Sequence, residues 1–179
     1  MTTTSPTALC LDSASIITGY AHLEIATQKL LGQGLLKAKP ASARADDRVR
    51  SILSDLPDLI RETKPSVILC EMVVDKQYTR DHKKASGLPV LGMAGGAIWG
   101  YLLRYAETED DPPQVIAISN TKWTGESHGK AGRQIEVAAQ FHGQYDPEKD
   151  PGMDISDATA MGLWWIRRRN DAALKAAQG

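Results

Sequence analysis

Ala8-Leu9-Cys10-Leu11-Asp12 is a short apolar run that ends in a carboxylate. Read as a strand, it delivers Asp12 at its C-terminal end. A second run, Val67-Ile68-Leu69-Cys70, ends in Glu71. A continuous apolar run of this length suits a strand covered on both faces. Between the two, Ile16 to Glu24 and Lys29 to Leu36 read as further strands, and the short links predict an antiparallel meander.

Pro40-Ala41-Ser42 then opens a helix, with Ser42 as its N-cap. Val49, Ile52, Leu53, Leu56, Leu59 and Ile60 follow at helical spacing. Pro57 is expected to kink or split this helix, because its ring removes a donor and crowds the preceding turn, and Pro65 ends it. Beyond Glu71, the polar stretch Asp75 to Lys84 reads as a loop. Leu88 to Tyr105 reads as a helix from its length and its Ile98, Leu102 and Leu103 face. Its glycines fit either close helix packing across a dimer or a poor helix. Gln114 to Ile118 is a fifth strand, Lys130 to Phe141 a helix, and Ile155 to Arg169 a last helix after the turn-forming stretch Asp146 to Gly152. The order β-β-β-α-β-α-β-α-α predicts an α/β fold: a five-stranded mixed sheet, three strands in a meander and two parallel, with helices on both faces.

Composition narrows the function classes. The 179 residues are 42% hydrophobic and 24% charged, a globular balance that argues against bulk disorder. One domain over 1–179 is expected, with its core at about 8–169 and a frayed Ala-rich tail at 170–179. No apolar run approaches the roughly 20 residues that span a bilayer, and Met1 to Thr7 lacks the features of a signal peptide. A cytoplasmic protein with no membrane partner is the expectation. The net charge of -1 excludes a uniformly basic coat but not a local basic patch. Cys10 and Cys70 are too few for a disulfide framework or zinc ribbon. Strand alternation puts Cys10 on the face of Asp12 and Cys70 opposite Glu71, so the two thiols are expected free and buried.

Four acids hold unusual places. Asp12 and Glu71 end apolar runs, and Asp154 and Asp157 sit three apart at the opening of the last helix, on one face of its first turn. Taken singly, each has a structural explanation: Asp154 as a helix N-cap, Asp157 as a first-turn acid favoured by the helix dipole, Asp12 as a turn cap. Together they suggest a cation, because clustered carboxylates raise one another's pKa. Hard oxygen ligands suit Mg²⁺ or Mn²⁺. Other patterns fail. Gly125 to Lys130 lacks the first Gly and the final Ser or Thr of a phosphate-binding loop. His22, His82, His128 and His142 have no metal spacing. Trp123, Trp164 and Trp165 read as core or interface residues.

Leu11-Asp12-Ser13-Ala14-Ser15 with Thr18-Gly19-Tyr20-Ala21 resembles the opening strand of RuvC-type Holliday-junction resolvases. Cys70-Glu71-Met72-Val73-Val74 resembles their second acidic strand end, and Asp154-Ile155-Ser156-Asp157-Ala158 their closing acidic helix. The three motifs stand in register from about Ala8 to Arg167. The resemblance implies a ribonuclease H-like fold, a homodimer, and Mg²⁺-dependent endonucleolytic cutting of Holliday junctions or other branched DNA. Two ions per site are implied, replaceable by Mn²⁺, with Asp12, Glu71, Asp154 and Asp157 as catalytic metal ligands. The family's lysines near the scissile phosphate imply phosphate contacts by Lys122 and Lys130; Arg133, on the helix that Lys130 opens, is a further expected DNA contact, and Arg80, Lys83 and Lys84 are expected to line the DNA path beside the site. Two positions depart from the family: Ala14 stands where it has Gly, and Val74 where it often has an aromatic, a place Tyr78 is the candidate to fill. An RNA-processing nuclease and a non-catalytic nucleic-acid-binding module of the same fold are the alternatives.

Overall fold

The structure, a computed structural model, describes residues 5–72, 88–124 and 129–178. Its strands are β1 (Thr7–Asp12), β2 (Ile17–Glu24), β3 (Leu30–Lys37), β4 (Val67–Met72) and β5 (Gln114–Ser119). They form one sheet in the order β3-β2-β1-β4-β5. β1 pairs antiparallel with β2, and β2 with β3. β4 runs parallel to both β1 and β5. This is the expected meander with two parallel strands added at the β1 edge.

The β1–β4 register decides where the acids go. Ala8 stands opposite Val67 and Leu11 opposite Cys70. One residue further, the same register puts Asp12 beside Glu71. Side chains alternate along both strands. Ala8, Cys10 and Leu69 belong to the core on one face, with Ala158, Met161 and Ile166. Leu9, Leu11, Ile68 and Cys70 belong to the core on the other, with Ile52, Leu56, Ile98 and Leu102. The two thiols are thus free, buried and on opposite faces of the sheet. Burial pushes both upward, Cys10 beyond the range of ordinary titration and Cys70 to about 11.

The helices are α1 (Ala45–Thr63), α2 (Leu88–Ala106), α3 (Asn120–Thr124), α4 (Lys130–Gln140) and α5 (Asp154–Gln178), with a short 3-10 turn at Pro147–Lys149. α1 buries Val49, Ile52, Leu56, Leu59 and Ile60 and stops at Lys64, whose N–H bonds back to the Ile60 carbonyl. α1 departs from the expected cap and is not split at its proline. It starts at Ala45 without a side-chain cap rather than at Ser42, because residues 40–43 close a turn of their own through Ala43 N–H and the Pro40 carbonyl. It also runs through Pro57 as one helix, since the buried residues on both sides of the proline hold the two halves against the sheet. α3 was not foreseen. α5 continues beyond Arg169 to Gln178, its Ala-rich end staying helical in keeping with the high helix propensity of Ala.

α5 lies very close to the sheet, and two glycines allow it. A Cβ built on Gly162 would stand 2.5 Å from Cys10 Sγ and 2.6 Å from Leu23 Cδ1. A Cβ on Gly19, in β2, would stand 2.1 Å from the Asp154 carbonyl oxygen. Backbone cannot rotate away as a side chain does, so Gly19→Ala must push back the first turn of α5. We expect it to cost about 1–3 kcal/mol, or a drop in Tm of ~2–4 °C per kcal/mol for a domain of this size. A thermal melt checks this; an unchanged Tm contradicts the contact.

Candidate functional site

The four acids arrive at one end of the sheet from three separate segments. β1 and β4 lie side by side and carry Asp12 and Glu71 out at their C-terminal ends. The Asp154 carbonyl rests on Gly19, which pairs with Asp12, so the opening of α5 is set against the same edge. Asp12 hydrogen bonds to Glu71 and feels the charges of Glu71, Asp157 and Asp154. Burial first, and these neighbours second, hold its carboxyl well above the usual range. Asp154 is also raised, mainly by burial, against the pull of Lys130.

Protein cations and donors hold the other carboxylates. Lys130, the first residue of α4, stands 3.5 Å from Asp154 Oδ1 and 3.3 Å from Asp157 Oδ2. Burial alone would lower the Lys130 ammonium, but Asp157, Asp154 and Asp12 outweigh it and raise it, so it stays charged. Arg133 Nε donates to Asp157 Oδ1 at 2.8 Å, and its guanidinium lies 4.7 Å from the centre of the Trp123 ring. Trp123 Nε1 in turn donates to Glu71 Oε1 at 2.8 Å.

The expected DNA contacts fare unequally. Lys122 is exposed on α3, and Lys130 is about half exposed beside the acids. Arg133 is only 7% exposed, and its guanidinium is engaged by Asp157 and Trp123. Tyr78, Arg80, Lys83, Lys84 and Val74 lie outside the described residues. Trp123 is buried as expected, but its indole N–H has a polar task that the sequence did not show.

Asp150 was missed altogether. It is fully buried, and it accepts hydrogen bonds from Tyr145 Oη (2.8 Å) and from the backbone N–H groups of Ile155 (3.1 Å) and Ser156 (2.9 Å). It therefore satisfies the first free donors of α5 and fixes the turn that carries Asp154 and Asp157. Burial above all, with Asp150 adding to it, pushes the Tyr145 phenol up to about 12, so it stays a donor. The signal available was Asp150-Pro151-Gly152, which reads as a turn and hides the cap.

A five-stranded mixed sheet with helices on both faces, and with acids at the ends of its two central parallel strands, defines a ribonuclease H-like fold. Within that class the chain has a RuvC-type fold. It is similar over 92% of its length to T. thermophilus RuvC in complex with a Holliday junction substrate, at 17% identity and a TM-score of 0.63, covering 95% of that chain. A second Thermus thermophilus RuvC structure gives 16% identity and a TM-score of 0.62, with 92% of this chain and 96% of that one covered. No family model and no curated protein matches the sequence.

The raised Asp12 carboxyl has a consequence for stability. A group whose pKa is higher in the folded state favours folding when protonated. Its contribution is complete below the usual carboxylate range and is lost as pH rises through the raised value. Asp12→Asn removes that loss. In EDTA the variant should match wild type near pH 4 and exceed it by about 1 kcal/mol or more at pH 8. Urea unfolding at the two pH values measures it, and equal stability at pH 8 would contradict the crowding of charge around Asp12.

Proposed function

We propose that this chain is a divalent-metal-dependent endonuclease that cuts Holliday junctions or other branched DNA. The observation that carries the reading is the convergence of Asp12, Glu71, Asp154 and Asp157 at one edge of a sheet whose fold is that of RuvC. The donor set fits a hard cation: four carboxylates, no thiolate, and an Asp12 carboxyl raised by burial first and by its acidic neighbours second. Among the described residues no three His, Cys, Asp or Glu side chains are already drawn into a metal-holding group. On the α5 side the Lys130 ammonium stands 3.5 Å from Asp154 Oδ1 and 3.3 Å from Asp157 Oδ2, where a cation would stand.

In this reading Asp12, Glu71, Asp154 and Asp157 would together hold two Mg²⁺ ions, or Mn²⁺ in their place. When bound, such ions activate a water and stabilise the leaving oxygen of a phosphodiester. Lys130, half exposed, is placed to turn from the acids to the phosphate. Lys122 on α3 supplies a second positive charge at the same end of the sheet. Each such contact makes binding salt-sensitive without reading base identity. Tyr78, Arg80, Lys83 and Lys84 remain proposed contacts along the DNA path.

A homodimer completes the reading, because two sites related by a two-fold axis match a symmetric four-way junction. Support comes from α2. Gly92, Gly96 and Gly100 repeat every four residues on its exposed side, and among the described residues a Cβ on any of them would meet nothing within 4 Å. Met93 and Leu103 are exposed beside them. Bare backbone flanked by apolar side chains lets a second helix approach closely.

Two measurements test these readings. Cleavage of synthetic four-way junctions, flaps and RNA hybrids, with and without Mg²⁺, should show junction cutting by wild type. Asp12→Asn should lower the rate at least 100-fold, on the scale of a lost metal ligand, while junction binding persists. Preferential cutting of structured RNA would favour the RNA-processing alternative, and binding without cutting the non-catalytic one. In sedimentation, wild type should be a dimer and Gly96→Leu should dissociate at roughly tenfold higher concentration. A monomeric wild type removes the dimer.

A further inference from the structure

Trp123 and Arg133 touch the site from inside the protein. Each takes one oxygen of one acid. Trp123 Nε1 donates to Glu71 Oε1 at 2.8 Å, and Arg133 Nε to Asp157 Oδ1 at 2.8 Å. The two are joined, because the Arg133 guanidinium lies 4.7 Å from the centre of the Trp123 ring. The chain Glu71–Trp123–Arg133–Asp157 thus links the acid of β4 to an acid of α5 through α3 and α4. Both clamp residues are buried.

Burial is what separates this clamp from the Lys130 contact. Lys130 reaches Asp157 Oδ2 at 3.3 Å from a half-exposed side chain, which can swing into water and release that oxygen. The indole N–H can only donate, and it has no water to turn to. A guanidinium buried beneath Asp157 cannot be left without its carboxylate at low cost. Rotating Glu71 or Asp157 to present both oxygens outward would therefore break a buried hydrogen bond in each case. The two bonds fix the rotation of each carboxylate, and an ion that took both oxygens would have to share one of them with a buried donor.

Divalent ions differ in how they use carboxylates. Ca²⁺ takes about 6–8 oxygens at about 2.3–2.6 Å and accepts carboxylates through both oxygens. Mg²⁺ holds to octahedral geometry at about 2.0–2.1 Å, keeps several waters, and needs only one or two carboxylates. We propose that Trp123 and Arg133 form a buried clamp that restricts Glu71 and Asp157 to one oxygen each and so sets the site's preference for a small octahedral ion over Ca²⁺. The proposal deepens the divalent-ion reading given above and rests on it. Trp123 and Arg133 act here as positioning residues, through the carboxylates they hold.

The test is binding rather than turnover. Calorimetric titration of the full chain with MgCl₂ and with CaCl₂ gives the ratio of the two affinities. Trp123→Phe keeps the ring beneath Arg133 and the net charge, and removes only the N–H. It should raise the Ca²⁺-to-Mg²⁺ affinity ratio about tenfold, the scale of changes beside metal ligands, with Mg²⁺ affinity little altered. Arg133→Met, made separately, should move the ratio in the same direction, although loss of its charge strengthens both ions. Near-UV circular dichroism shows which variants fold, and either folded variant suffices. An unchanged ratio, or equal loss of both ions, overturns the clamp and leaves the two residues as packing. A wild type that binds neither ion overturns the divalent site itself, which is a different failure.

Discussion

Four carboxylates brought to one edge of a sheet repel one another, and much of the surrounding structure is arranged to withstand that repulsion. Asp12 and Glu71 meet because β1 and β4 run parallel in a register that ends both strands together. They tolerate the meeting by sharing a hydrogen bond. Asp157 is balanced by a buried guanidinium and an ammonium. Asp154 shares that ammonium. Asp150, a fifth acid nearby, is spent on backbone N–H groups and a phenol instead. A site of this kind is unfavourable to the metal-free fold, which is common where groups are held ready for a ligand rather than for stability.

Much of the framework was legible because it depends on patterns that act locally. Apolar runs of four residues closed by a carboxylate mark β1 and β4. The short links on either side of Gly19 and Gly32 mark the meander. The helical spacing of Val49, Ile52, Leu56 and Ile60 marks α1 despite Pro57. The strand period alone separates Cys10 from Cys70, since one lies two residues before its acid and the other one residue before.

What stayed hidden depends on contacts between distant segments. Arg133 carries the same side chain whether it faces solvent or Asp157, and only the packing of α4 on α5 decides which. The sequence reading set it with the DNA-contacting lysines, Lys130 of its own helix among them. Trp123 reads as core from its size, and nothing in the chain announces that its N–H finds Glu71, 52 residues away. Asp150 reads as a turn residue beside Pro151 and Gly152, because the donors it satisfies belong to a helix that has not yet begun. Ser42 failed as a cap for the opposite reason: the local signal was present, but the chain turned before the helix started.

Gly19 lends itself to a different kind of reading. Its α-carbon is the bearing on which the first turn of α5 sits, with the Asp154 carbonyl where a methyl group would be. No rotamer and no neighbouring substitution makes room there, since both sides of the contact are main chain. A chain that keeps α5 at this depth is thus confined to one residue type at this point, however freely the rest of its sequence drifts. Positions where backbone meets backbone are fixed by geometry rather than by side-chain chemistry.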